Sequence, residues 1–129
     1  MNNTDREFST ALDTAEQMLG FRLERFLGTQ PADPPNTEDF MRIATIQAFG
    51  DAWPRTEYLG TPTRALISVT IAASLGILEP LRGQLRIALN VGVTKEQVVE
   101  ALIQIAAYAG VARAFEAYGV ATEVFAERP

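Results

Sequence analysis

Thr61–Ala114, TPTRALISVTIAASLGILEPLRGQLRIALNVGVTKEQVVEALIQIAAYAGVARA, decides the fold. Glycine and proline divide it into three apolar segments, each long enough for a helix, with Gln84 at its middle. Thr61–Pro62 is a cap followed by a first-turn proline, and the segment from there to about Leu78 is apolar nearly all round. Leu66, Ile67, Val69, Ile71 and Leu75 cover its circumference, and Ala72, Ala73, Ser74 and Gly76 permit close helix approach. Such a helix suits a subunit interface or the buried centre of a monomer. Pro80 restarts the chain as a helix through about Asn90, with Leu81, Leu85, Ala88 and Leu89 inward and Gly92 as its stop. Thr94 and Gln97 then form the T-x-x-Q pattern of a capping box, and Val98, Leu102, Ile105 and Ala109 repeat at helical spacing.

A second stripe on that third helix holds Glu96, Glu100, Gln104 and Tyr108 at intervals of four. The two glutamates read as a solvated face. Tyr108, set among alanines, is expected to be at least half-buried, with its phenol seeking a partner. Downstream, Val111, Phe115, Tyr118, Thr122 and Phe125 form the expected inward face of a last helix.

Upstream, Thr4 or Asp5 is placed to cap a first helix carrying Phe8, Leu12, Ala15 and Leu19. Gly20 interrupts it, and Phe21 to Leu27 reads as a further helical piece closed by Gly28. Thr29–Asn36, TQPADPPN, holds three prolines and reads as an extended connector. Thr37 can cap the next helix, with Glu38 and Asp39 at its positive end and Phe40, Ile43, Ile46 or Gln47, and Gly50 inward. A loop follows, in which Trp53 is the only tryptophan and Arg55 the nearest cation. Trp53 reads either as a core plug or as the aromatic wall of a site, and Arg55 as a surface charge or a carboxylate anchor. No strand pattern competes, so the expected class is all-α.

Composition narrows the function. The chain has 129 residues, 47% hydrophobic and 21% charged, which fits one ordinary globular domain. The formal charge is −5, Lys95 is the only lysine and the ten arginines are dispersed, so a nucleic-acid partner is not expected. With no Cys and no His, the sequence excludes thiolate chemistry, an imidazole base and the common zinc sites. Proton transfer falls to carboxylates, tyrosine, Lys95 or water. The polar, acidic start MNNTDREFST lacks a leader pattern and no apolar run is long enough to span a bilayer, so a cytoplasmic protein without membrane association is expected.

In order and spacing, these residues resemble the carboxymuconolactone decarboxylase family over almost the full length. The resemblance rests on Glu24–Arg25–Phe26–Leu27–Gly28, Phe49–Gly50–Asp51–Ala52–Trp53 and Thr63–Arg64–Ala65. It continues through Gln84 to Thr94, Glu100 to Gln104, and Tyr108–Ala109–Gly110–Val111–Ala112–Arg113–Ala114. It implies an alkylhydroperoxidase-like bundle of about six helices, a homo-oligomer that is trimeric or hexameric, a small-molecule substrate and no cofactor. As a single domain over residues 1–129, residues 1–36 would form a helical arm and connector and 37–129 the core.

Departures from the family pattern bear on chemistry. Gln84 stands where the family's catalytic His is expected, and an amide does not exchange protons near neutral pH. Ile77 and Pro80 occupy the positions of the cysteine pair in the peroxidase branch, with Ala65 near its glutamate, so a peroxidase relay is excluded by residue type. Ala112 replaces the proline of the last motif. The expected activity is a cofactor-free, non-redox decarboxylation, isomerisation or ring rearrangement of a small cyclic or lactone-like carboxylic substrate, in catabolism or natural-product biosynthesis. Gln84 would donate a hydrogen bond to a developing oxyanion. Trp53 and Tyr108 would wall the pocket, and Arg55 or Arg64 would anchor a carboxylate. The proton would come from Tyr108, Glu57, Glu100 or water. The alternative is a non-catalytic oligomer that binds a small molecule or a partner protein, which explains the loss of His and Cys without a replacement acid.

Overall fold

The computed structural model describes residues 2–128, and for residues 25 and 26 the backbone alone. Met1, Pro129 and the Arg25 and Phe26 side chains of the Glu24–Gly28 motif therefore lie outside the described set. The molecule is all-α, with six α-helices and no strand among the described residues. Two compact units meet in sequence between Leu59 and Gly60.

In the first unit, α1 spans Asn3–Leu19. Its cap is Asn2, two residues before the expected Thr4, because the Asn2 Oδ1 accepts from the Asp5 N–H at 2.8 Å. Ala11, Leu12, Ala15 and Met18 form the buried stripe, while Phe8 and Leu19 are only half-buried. Gly20 ends the helix with φ of +83°, a left-handed conformation that costs glycine least. The piece expected between Phe21 and Leu27 is a single 3₁₀ turn over Leu23–Phe26. Arg22 braces that turn through Glu24, and reaches Glu16 at 2.6 Å and Asp13 at 3.1 Å on α1. The proline-rich Thr29–Asn36 carries no regular element, as expected, but it folds through turns rather than running extended, with the Asp33 N–H donating to the Gln30 carbonyl and the Thr37 N–H to that of Pro34.

Helix α2 covers Thr37–Thr45, with Glu38 and Asp39 in its first turn, and runs directly into a π-helical segment over Ile46–Ala52. The wider winding rotates the side chains that follow out of an α-helical phase. The inward face expected for α2 is corrected: Phe40 and Ile43, both N-terminal to the π-helical segment, are exposed, Ile46 and Gly50 are half-buried, and Thr45 is buried. Gly50 lies close to Ala11 of α1, where an added Cβ would sit 3.6 Å from the Ala11 Cβ.

The second unit packs four helices, α3 (Thr61–Leu75), α4 (Leu78–Asn90), α5 (Lys95–Tyr108) and α6 (Val111–Ala126). Helix α3 packs on α4 and α5 on α6, and both α3 and α4 also pack on α6. Gly60 caps α3 with Pro62 in its first turn, and Gly76 closes it at φ of +70°. The Arg113 guanidinium lies against Gly76, 1.9 Å from where a Cβ would stand. The capping box of α5 is complete, with the Gln97 N–H donating to the Thr94 Oγ1 and the Thr94 N–H to the Gln97 Oε1, both at 3.0 Å.

The inward face of α6 differs from expectation. Val111, Phe115, Tyr118 and Thr122 face outward, and the buried stripe is Ala114, Ala117, Val120, Ala121 and Val124. Both sets have helical spacing. The small set wins because alanines let α6 approach α3 and α4 closely, which larger side chains would prevent. An ionic seam then fastens α4 to α6, from Arg82 to Glu123 at 2.6 Å and from Arg86 to Glu127 at 2.7 Å. Lys95 closes the C-terminal end of α6 by donating to the carbonyls of Phe125, at 3.1 Å, and Arg128.

Candidate functional site

Gln84 lies on α4 one residue before the buried Leu85 and three after the buried Leu81. This register places it at the edge of the helix's inward face. Its side chain is half-buried. The Oε1 atom is fully buried and accepts no hydrogen bond from the described residues. A buried acceptor left unsatisfied costs ~1–3 kcal/mol, so such an atom marks either tolerated strain or a place a ligand completes.

The second unit also holds Arg64, Glu100 and Tyr108 among the expected site residues. Arg64 is half-buried in the first turn of α3, where its carbonyl accepts from the Ser68 Oγ at 3.2 Å. Glu100 is exposed on α5, as a solvated stripe requires. Tyr108 is 87% exposed, which corrects the expectation of a half-buried ring. It is the last residue of α5, and its exposed ring meets solvent.

Tyr108 borders a cleft of about 420 Å³ between α3 and α5, together with Thr70, Ser74, Gln104 and Ile105. Gln84 is not among the residues lining it. The sequence carried a signal for this cleft: Thr70 and Ser74 are polar positions four apart on an otherwise apolar helix, and Gln104 and Tyr108 are four apart on the next. All the polar groups that line it are neutral. Charge attraction therefore contributes nothing to what it holds.

Trp53, Arg55 and Glu57 belong to the first unit. Trp53 is 7% exposed at the end of the π-helical segment, with its backbone N–H donating to the Ala48 carbonyl at 3.0 Å. Its burial supports the core-plug reading. Arg55 and Glu57 are exposed in the loop that follows. Among the described residues, no three Asp or Glu side chains converge as metal ligands.

The sequence model of the carboxymuconolactone decarboxylase family matches residues 38–123, from the first turn of α2 to the last turn of α6. The chain belongs to the carboxymuconolactone decarboxylase family. A similar protein is the 4-carboxymuconolactone decarboxylase of Acinetobacter baylyi, 34% identical over 126 residues that cover 95% of this chain and 90% of that one. Membership explains why Gln84 is flanked by so regular a frame: the α3–α4 pair and the capped α5 fall within the family match. No helix of the described residues is long and apolar enough to cross a membrane.

Proposed function

We propose that this member of the carboxymuconolactone decarboxylase family is a decarboxylase-type enzyme acting, without cofactor or redox step, on a small lactone-like carboxylic acid. Family membership supports the reaction class, and the observation that carries the site is the half-buried, internally unbonded amide of Gln84. In such a reaction the carbon–carboxylate bond breaks, carbon dioxide leaves and the electron pair is held as a dienolate until carbon takes a proton. The Nε2–H of Gln84 stabilises the developing oxyanion, a role that needs no proton exchange. Arg64, half-buried in the same unit, is the better of the two proposed carboxylate anchors. The carbon proton comes from water, Tyr108 or an exposed carboxylate of the same unit such as Glu100.

The protein acts as a homo-oligomer, a reading supported by the outward apolar faces of three helices. Ile71 and Leu75 on α3, Ile103 on α5 and Phe115 on α6 are each more than half exposed in the single chain.

Incubating the purified protein with 4-carboxymuconolactone and related lactone acids, and following carbon dioxide release, tests the activity. Release above the uncatalysed rate supports the reading. Binding without release from any of them supports the second reading, a non-catalytic ligand-binding oligomer. The observation favouring that second reading is the exposure of Tyr108 and Glu100, which leaves Gln84 without a buried acid in its own unit.

A further inference from the structure

We propose that Gln84 is a specificity residue that recognises a hydroxyl, so that the ligand of this protein is a small lactone-like acid carrying a free O–H beside its carbonyl or carboxylate oxygen. This inference rests on the reading of Gln84 as the centre of the site.

A carboxamide offers two functions at once, a pair of N–H donors and an acceptor oxygen. The Oε1 is fully buried and takes no hydrogen bond from the described residues. A ligand presenting only carboxylate and carbonyl oxygens pairs with the Nε2–H and leaves the Oε1 unmatched. A ligand that adds a hydroxyl next to one of those oxygens satisfies both ends of the amide.

Access is compatible with this. Gln84 is half-buried, and no hydrogen bond from the described residues holds its Oε1. Swinging the amide outward about its side-chain torsions therefore breaks no hydrogen bond to the Oε1. Sites that hydrogen-bond a substrate hydroxyl discriminate strongly against analogues without it, because the site's own polar group is then stranded. A neutral amide also makes this recognition independent of pH, since Gln84 does not titrate.

The test uses the full chain and two probes, a γ-butyrolactone carboxylic acid with a ring hydroxyl and its O-methyl ether, titrated by calorimetry. In parallel, the ¹⁵N side-chain amide signal of Gln84 is followed by NMR and assigned by its loss in Gln84→Met. The expected result is that the hydroxy compound binds about tenfold or more tightly than the ether, and that it moves the Gln84 signal. The preference disappears in Gln84→Met, which keeps length but has no strong acceptor. It survives in Gln84→Glu, whose carboxylate still accepts and repels both acids alike. Equal binding of the two probes, a preference that persists in Gln84→Met, or binding that leaves the Gln84 signal unmoved would each overturn the inference. Failure of both probes to bind would overturn it too. In every such case, release of carbon dioxide from 4-carboxymuconolactone by the wild-type protein would leave the decarboxylase reading standing.

Discussion

At residue scale, two positions carry more information than their neighbours. Gln84 was legible in the sequence as the centre of the family-type stretch, but the burial of its Oε1 was not, because burial of one atom depends on how α3 and α4 seat together. Tyr108 shows the reverse case. Its alanine-rich surroundings suggested burial, yet small neighbours at a helix end expose a ring as readily as they enclose it. Gly76 offers a direct test of local geometry: with φ of +70° and the Arg113 guanidinium 1.9 Å from a built Cβ, Gly76→Ala is strained in both backbone and space. It should lower stability by ~1–2 kcal/mol in urea denaturation, whereas Gly83→Ala, inside α4 and with no atom within 4 Å of its Cβ, should be neutral or stabilising.

Among the elements, the helices with explicit punctuation were read best. The α5 capping box was visible as Thr94 and Gln97, and both of its hydrogen bonds form. Thr94→Ala removes the acceptor for the Gln97 N–H and should cost ~1 kcal/mol, measured as a lowered denaturation midpoint with an unchanged m-value. Helix α2 was misread in its apolar stripe, since Phe40 and Ile43 are exposed within the regular α-helix and the smaller Thr45 takes the buried place. Helix α6 was misread for a different reason. It carries two apolar stripes, and hydrophobicity alone favours the larger one although packing distance selects the alanines. Ala117→Leu, at a site with 0% exposure, should therefore destabilise the fold by ~1–3 kcal/mol through overpacking. Phe115→Ser, at 71% exposure, should leave thermal unfolding of the dissociated chain nearly unchanged but weaken self-association in sedimentation experiments.

For the molecule as a whole, the all-α class and the family were legible because six helices are separated by glycine, proline or caps and the motifs keep their order. The sequence reads as one domain with a helical arm and connector over residues 1–36, and the described residues form two compact units divided in sequence between Leu59 and Gly60. Composition hides such a limit, since the Trp53 to Gly60 loop contains no linker-like run. The ionic seam of the second unit gives the molecule a defined acid response. Arg86, hydrogen-bonded to Glu127, holds that carboxyl below its ordinary range. Because the folded form binds the proton less readily than the unfolded form, this stabilisation is full above the ordinary carboxylate pKa, about 4.3, and fades as pH falls through the lowered folded value. Glu127→Gln should therefore lower the melting temperature slightly at pH 7 and make it less sensitive to acidification below about pH 4, the effect staying small because both partners are largely exposed.

That a carboxymuconolactone decarboxylase scaffold here turns on an amide is tested most directly by steady-state carbon dioxide release from a turned-over lactone acid, comparing the wild-type chain with Gln84→Ala. Removing a preorganised oxyanion donor should lower kcat by about 10²–10³-fold while circular dichroism and the melting curve stay close to wild type. An unchanged kcat in a folded Gln84→Ala protein would contradict it.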